Sequence, residues 1–295
     1  MSGNIIEARE SMVSGHLPVF IISFNRGEYL RQVIISYYQQ TIPVDIIVHD
    51  NGSDDSCTLD VLAELEAEGI KVHRRPRIKS VDDLNLVDKT IGKYFGWFRK
   101  RSRYVVTDCD IDLSVARPNA LEVYSELLDR FPQAECVGPM LRIEDIPESY
   151  PLFNRVMNRH IEQFWHMQPE QTRTRFGQCA FIKAQIDTTF AMHREGSKFR
   201  RMKRGLRVYH PFEAQHLDWY PDNLQEFYHK TSSAEISHWN NAAYDTEFGQ
   251  EPLRFDQYNV VETTDDGSLI VCCRKVAVER LDRHNCTSSL AACHR

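Results

Sequence analysis

Two aspartates one residue apart, Asp108 and Asp110, close the stretch Arg103-Tyr104-Val105-Val106-Thr107-Asp108-Cys109-Asp110-Ile111-Asp112-Leu113. Carboxylates at that spacing can converge on a hard divalent cation, because Mg²⁺ and Mn²⁺ take oxygen ligands and keep positions open for phosphate oxygens. An apolar run ending in Asp-x-Asp therefore predicts a metal that holds a diphosphate. The pattern alone is equally a solvated turn closing a strand, since so short a motif recurs by chance. Two further groups bear on the choice. One is Ser23-Phe24-Asn25-Arg26-Gly27, the other Asp50-Asn51-Gly52-Ser53-Asp54-Asp55, and each follows an apolar run of strand length.

The elements that must position these groups can be read from periodicity. Leu17 to Phe24 is a continuous apolar run, as expected of a strand buried on both faces of a parallel sheet. From Glu28 to Gln40, Leu30, Val33, Ile34, Tyr37 and Tyr38 recur at helical spacing, and Pro43 follows the end of that helix. Val44–His49 predicts a second strand, Ser56–Ala67 a helix, Ile70–His73 a third strand, Lys89–Lys100 an amphipathic helix, and Tyr104–Thr107 the strand that delivers Asp108. Such β-α alternation implies a helix-covered, mostly parallel sheet whose ligand crevice lies at the carboxyl ends of the strands. The phosphate loops of the dinucleotide and P-loop folds are both missing from the sequence. A phosphate would have to be held in another way, and a metal is the obvious substitute.

Composition narrows the class. The 295 residues carry 36 Lys and Arg against 42 Asp and Glu, a net charge of −6, which argues against a general nucleic-acid binder. No apolar run reaches the roughly 18 to 20 residues that span a bilayer, and residues 1–16 read as a polar leader rather than a signal peptide. A cytoplasmic location follows as the expectation, with peripheral attachment to a membrane left open. The eight cysteines show no C-x-x-C pair, so neither a zinc site nor a disulfide framework is expected.

In order and spacing, Ser23-Phe24-Asn25-Arg26, Asp50-Asn51-Gly52-Ser53-Asp54-Asp55 and Asp108-Cys109-Asp110 together resemble a nucleotide-sugar-dependent glycosyltransferase of the A-type (GT-A) fold, close to the large inverting family 2. The resemblance covers residues 17–115 well and the rest loosely. It implies an α/β, Rossmann-like mixed sheet with helices on both faces. It implies that Phe24, Asn25, Arg26, Asp50 and Asp108 bind the nucleotide, and that Asp108 and Asp110 hold Mn²⁺ or Mg²⁺ on the diphosphate. The donor would be a nucleoside-diphosphate sugar and the acceptor a glycan or glycoconjugate, lipid-linked ones included. One departure stands out: Asp50-Asn51 replaces the Asp-Asp usual in family 2.

Residues 116–250 then form the acceptor-binding and catalytic half. A helix is expected over Ser114–Phe131, a strand over Cys136–Ile143, strand-like pieces over Thr174–Lys183 and Ile186–Arg194, a strand over Leu206–Phe212 and a helix near 222–232. The aromatic stretch 147–167 suits a covering helix or a sugar platform. An inverting transfer needs a carboxylate to take the acceptor proton. Asp187 is the first candidate, although a turn carboxylate bonded to Thr188 or Thr189 is an equal alternative. Asp218 is the second. Many A-type enzymes complete the metal shell with a late histidine, and His216 stands where such a residue would, which tilts the metal toward Mn²⁺. The basic run Arg194, Lys198, Arg200, Arg201, Lys203, Arg204 and Arg207 reads as a mobile loop for phosphate or an anionic acceptor, with Arg200, Arg201 and Arg204 as its contacts, and Trp219 reads as an acceptor face or a core anchor. Residues 251–295 give a C-terminal β-hairpin, Tyr258–Thr264 with Leu269–Arg274 about a Gly-containing turn, as a structural or oligomeric appendage, and then a tail. Rival readings are a phosphatase-like hydrolase with Asp108 as nucleophile and a nucleotide-sugar-binding protein without turnover.

Overall fold

The structure, a computed structural model, describes residues 15–96, 101–187, 189–220 and 251–276. In chain order the elements are β1 (Leu17–Ser23), α1 (Gly27–Tyr38), β2 (Val44–Asp50), α2 (Ser56–Ala67), β3 (Lys71–Arg74), α3 (Val87–Phe95), β4 (Tyr104–Asp108), β5 (Ile111–Asp112), α4 (Ala120–Arg130) and β6 (Cys136–Pro139). They continue as α5 (Phe153–His160), β7 (Glu170–Thr174), β8 (Gly177–Ile186), β9 (Phe190–His193), β10 (Lys203–Val208), β11 (Gln215–His216), β12 (Gln257–Thr263) and β13 (Leu269–Lys275). Most of the leader, the helix expected near 222–232, the end of the 89–100 helix and the C-terminal tail lie outside the described residues.

Nine strands form one mixed sheet in the order β3-β2-β1-β4-β9-β6-β10-β8-β7. β3, β2, β1 and β4 are mutually parallel, while β9 runs antiparallel between β4 and β6. Every residue of β1 is buried, and its alternate side chains serve two cores. Val19 and Ile21 join the larger cluster with Leu30, Val33, Ile34, Val61 and Leu62. Phe20 and Ile22 join the smaller one with Val87, Ile91, Tyr104, Val106 and Phe199. Helices thus cover both faces, α1 and α2 on one and α3 on the other, which is why the first strand is apolar without alternation. The architecture is the expected Rossmann-like mixed sheet, and β12 and β13 form the expected separate hairpin.

The chain winds from β1 outward to β3 and then places β4 on the other side of β1. Between β1 and β4 the winding reverses, the place where open α/β sheets leave a crevice at their carboxyl ends. The register brings the functional ends together there, with Ser23 opposite Asp50 and Ile22 opposite Asp108.

Several elements differ in extent from the sequence reading. The helix expected from Ser114 begins at Ala120, because the residues before it bond elsewhere: Ser114 N–H to Asp112 Oδ1 at 2.7 Å and Arg117 N–H to the Pro211 carbonyl at 2.9 Å. The piece expected over Thr174–Lys183 is split by a tight turn, with Thr174 paired to Gly177 at φ 115°, a conformation that favours glycine. The basic run is not a single loop. Lys203, Arg204 and Arg207 lie in β10, and the Arg194 guanidinium caps α4, donating to the carbonyls of Leu128 (2.6 Å), Phe131 (2.9 Å) and Ala134 (3.0 Å). Among the described residues no helix is long and apolar enough to cross a membrane.

Gly27 fixes how α1 enters its packing. Its N–H donates to Thr58 Oγ1 at 2.9 Å, and a Cβ there would lie 2.8 Å from the Thr58 Cα and 3.1 Å from a Val61 methyl. Backbone cannot give way as a flexible side chain does, so Gly27→Ala is expected to destabilise the protein by about 1–3 kcal/mol. Denaturant unfolding would show the loss as a lower midpoint at unchanged slope.

Candidate active site

Three loops, after β1, β2 and β4, build the crevice, and the first two are stitched into one unit. Asn25 sits at φ 49°, a left-handed conformation that Asn tolerates. Its amide oxygen accepts from Asp54 N–H at 2.9 Å, its amide nitrogen donates to Asp54 Oδ1 at 2.7 Å, and its backbone N–H donates to Ser53 Oγ at 2.9 Å. Asp50 closes its own loop: Oδ2 accepts from the N–H groups of Gly52 (3.1 Å) and Ser53 (3.0 Å), while Oδ1 accepts from the Ser53 hydroxyl. Gly52, at φ 85°, lets the Pro76–Arg77 backbone approach so closely that a Cβ would lie 2.5 Å from Arg77 N. The Arg77 guanidinium then covers the Phe24 ring at 5.1 Å and meets Asp54 Oδ2 at 3.2 Å. Phe24, Asn25 and Asp50 therefore share one rigid loop cluster, with Asn25 and Asp50 engaged in shaping it.

The third loop carries the charge. β11 pairs with β5, His216 opposite Ile111, and Leu217 N–H donates to the Asp110 carbonyl at 2.8 Å. This pairing sets His216 and Asp218 beside the Asp-x-Asp from a position more than a hundred residues away. Arg26 reaches in from the start of α1. One of its terminal nitrogens bonds Asp110 Oδ2 and the other lies 3.2 Å from Asp218 Oδ1. The Arg26 side chain is 10% exposed and those of Asp110 and Asp218 5% and 1%. Charges this deeply buried need such pairing, and removing one partner of a buried pair costs about 3–5 kcal/mol.

His216 stacks on Trp219 at 4.6 Å and 9° between planes, and His160 meets the same indole edge-on at 4.7 Å. Trp219 is 1% exposed, so it is a core anchor rather than an open sugar platform. Burial pushes His216 down to about 4 even though the Asp218 carboxylate opposes the shift, and burial holds His160 well below the ordinary range. Both imidazoles are neutral at physiological pH.

Asp187 adopts the turn geometry weighed as its alternative: Oδ1 accepts from Thr189 N–H at 3.2 Å and from the Thr189 hydroxyl at 2.6 Å. Burial opposes its ionisation, but the Arg207 guanidinium and the Thr189 bonds outweigh burial and keep the carboxyl below the usual range. Arg207 is itself buried, lying over the Phe164 ring at 4.3 Å and donating to the Gln185 carbonyl at 3.1 Å. Arg200 and Arg204 are exposed beside Glu135, the first as an ion pair at 3.4 Å and the second through its backbone N–H at 3.2 Å. Arg201 N–H is tied to Asn85 Oδ1 at 2.7 Å. The structure thus gathers Arg26, Asp110, His216 and Asp218 into one cluster, with Asp108 at the adjoining strand end, and leaves Arg200 and Arg204 outside it. Arg77, His160 and Arg207 are additions from three-dimensional packing. Only Arg207 had a sequence signal, its place in the basic run.

Among the described residues no three His, Cys, Asp or Glu side chains group closely enough to hold a metal ion. Asp110 Oδ1 and His216 Nδ1 are among the buried side-chain atoms that have no hydrogen-bond partner. A carboxylate oxygen and a neutral imidazole nitrogen are donors that Mn²⁺ accepts, so the donor chemistry here fits a divalent cation.

No family model matches the chain, and no curated protein matches it. Among solved structures it is similar to a mannosyltransferase from Pyrobaculum calidifontis in complex with GDP-Man and Mn²⁺ (16% identity, 52% of this chain, 42% of that one, TM-score 0.34). It is similar also to residues 1–349 of S. aureus TarS (14%, 60% and 47%, 0.37) and to 4-diphosphocytidyl-2C-methyl-D-erythritol synthase (7%, 76% and 88%, 0.31). The chain spans less than half the length of the first two. Likeness at these scores carries no argument, and the functional reading rests on the site's own residues.

The neutral imidazoles have a consequence for stability. His49 and His216 are pushed to about 4, and His160 and His193 well below the ordinary range, all by burial first. In the unfolded chain each protonates near its ordinary value of about 6.5. Their contribution is therefore complete above that pH and is lost as pH falls toward 4, by up to about 1.4 kcal/mol per pH unit for each histidine. Unfolding free energies measured from pH 7 to 4 should fall steeply, and His216→Gln should fall less steeply; parallel curves would contradict this assignment.

Proposed function

We propose that this protein is a metal-dependent glycosyltransferase that moves a sugar from a nucleoside-diphosphate donor to a glycan or glycoconjugate acceptor, lipid-linked acceptors included. The observation that carries the reading is the meeting of Arg26, Asp110, His216 and Asp218 at the sheet's switch point. An open α/β sheet binds its ligand at that place, and the Asp-x-Asp delivered there suits a cation on a diphosphate. Asp108, Asp110 and His216 are the residues that would hold Mn²⁺ or Mg²⁺, and such an ion, when bound, neutralises charge on the departing nucleoside diphosphate.

The rest of the reading concerns the chain's own groups. The Phe24–Asn25–Arg26 and Asp50–Ser53 loops form the nucleotide side, with Phe24 and Arg77 offering a ring and a planar cation at its rim. Asp218, between Arg26 and the His216–Trp219 stack, is the carboxylate we assign to the acceptor proton. Asp187, bonded to Thr189 and beside Arg207, is better suited to shape the acceptor side than to accept a proton. Inversion at the anomeric carbon is proposed on the family 2 resemblance of the three motifs.

Calorimetric titration with UDP and GDP, with and without Mn²⁺, tests the reading. One nucleoside diphosphate should bind in a metal-dependent way, and Asp110→Asn should weaken that binding by at least about tenfold, or 1.4 kcal/mol. Binding of neither nucleotide to the native chain, or binding indifferent to Asp110, would remove the metal-diphosphate reading.

A further inference from the structure

Arg26 occupies an unusual position for a residue of a nucleotide loop. Its side chain is largely buried, and its two terminal nitrogens are shared between Asp110, from the loop after β4, and Asp218, from the turn after β11. On Asp110 the guanidinium engages Oδ2, while the buried Oδ1 accepts no hydrogen bond. Asp110 is at the same time one of the two carboxylates assigned to the divalent cation. A guanidinium and a divalent cation cannot both own that carboxylate without close approach of like charges, which is costly where water is largely excluded.

We propose that Arg26 is a built-in counter-cation that latches the Asp-x-Asp shut: it neutralises Asp110 in the unloaded protein and gives up that carboxylate when a divalent cation binds. The inference rests on the metal-dependent reading above. Geometry supplies the second half of the device. Asp218 keeps hold of the other terminal nitrogen, so a guanidinium released from Asp110 is not lost to solvent. It stays beside the diphosphate position with donors to offer to phosphate oxygens, the task for which arginine's planar fork is suited. Arg26 thus serves two partners in turn. Without a ligand it spares Asp110 the cost of an unpaired buried charge, and with one it helps to hold the leaving group.

A residue with two opposed duties gives a variant with two opposed effects. Arg26→Gln should raise the affinity for Mn²⁺ alone, followed by the electron paramagnetic resonance signal of free Mn²⁺, by about tenfold or more, which corresponds to 1.4 kcal/mol. The same variant should bind the nucleoside diphosphate at saturating Mn²⁺ several-fold more weakly than the native chain. Arg26→Lys keeps the charge but loses the fork. It should lie between the two in Mn²⁺ affinity, and it serves in place of the glutamine variant if that one fails to fold by circular dichroism. Unchanged or weaker Mn²⁺ binding in both variants, with the native chain binding Mn²⁺ and nucleotide as expected, would overturn the latch and leave the glycosyltransferase reading standing. The Mn²⁺ titration needs no nucleotide. Tighter Mn²⁺ binding in Arg26→Gln therefore supports the latch even where the native chain binds neither UDP nor GDP, a result that would count against the donor reading alone.

Discussion

The shared guanidinium of Arg26 is the interaction on which the site depends. It joins three segments that are remote in sequence, the start of α1, the turn after β4 and the turn after β11, and it does so where water is largely excluded. Each segment has its own reason for being there. α1 is placed by the contact of Gly27 with Thr58, β4 by its register with β1, and the last turn by the short β5–β11 bridge. The ion pairs add nothing to these backbone constraints in register, but they determine the cost of disturbing them. Three charged groups brought together without water leave few arrangements in which every charge has a partner.

Rigidity near the crevice comes from local bonds rather than from the ion pairs. Asn25 and Asp50 use their side chains to hold loop backbone, so the floor of the crevice at the ends of β1 and β2 is shaped by the chain itself. A nucleotide meeting this floor would find Gly52 and Ser53 N–H groups already committed to Asp50. Recognition by Asp50 itself would have to share oxygens that already accept hydrogen bonds. At the rim the Phe24 ring and the Arg77 guanidinium are stacked on each other, and Arg77 is paired in turn with Asp54, so this edge is built by the same local bonding.

Legibility in the sequence followed the range of the interactions. β1, β2, β4 and the helices between them were readable because their signal is local: unbroken apolar runs for strands buried on both faces, and helical spacing in Leu30, Val33, Ile34 and Tyr37. The hairpin of β12 and β13 was readable for the same reason. Asp108 and Asp110 stood out as a motif, and the acidic turn after β2 as punctuation. What no spacing could reveal was Arg26 turning inward to Asp110 across 84 residues, or His216 and Asp218 arriving beside it through a two-residue bridge. Asp187 was legible as a carboxylate at a bend, but whether its partner would be an acceptor or Thr189 depended on a turn that only the backbone defines. The basic run misled as a single loop because its charges were countable while their burial was not: Lys203 and Arg207 are buried in β10, and Arg194 is consumed in capping α4.

The side of the crevice beyond Arg26 is built differently. From Arg26 the structure passes to Asp218, then to the parallel pair of His216 and Trp219, then to His160 edge-on against the same indole. Burial keeps both imidazoles uncharged, so this wall adds no positive charge next to Arg26 and does not compete with it for the carboxylates. Had His216 been ionised, Asp218 would have had a second cationic partner and less reason to hold the guanidinium. Neutrality of the histidines and localisation of the positive charge on Arg26 are therefore one electrostatic solution. It depends on Trp219 filling the space between the two rings, which gives this indole a structural reason to be buried rather than offered to a sugar.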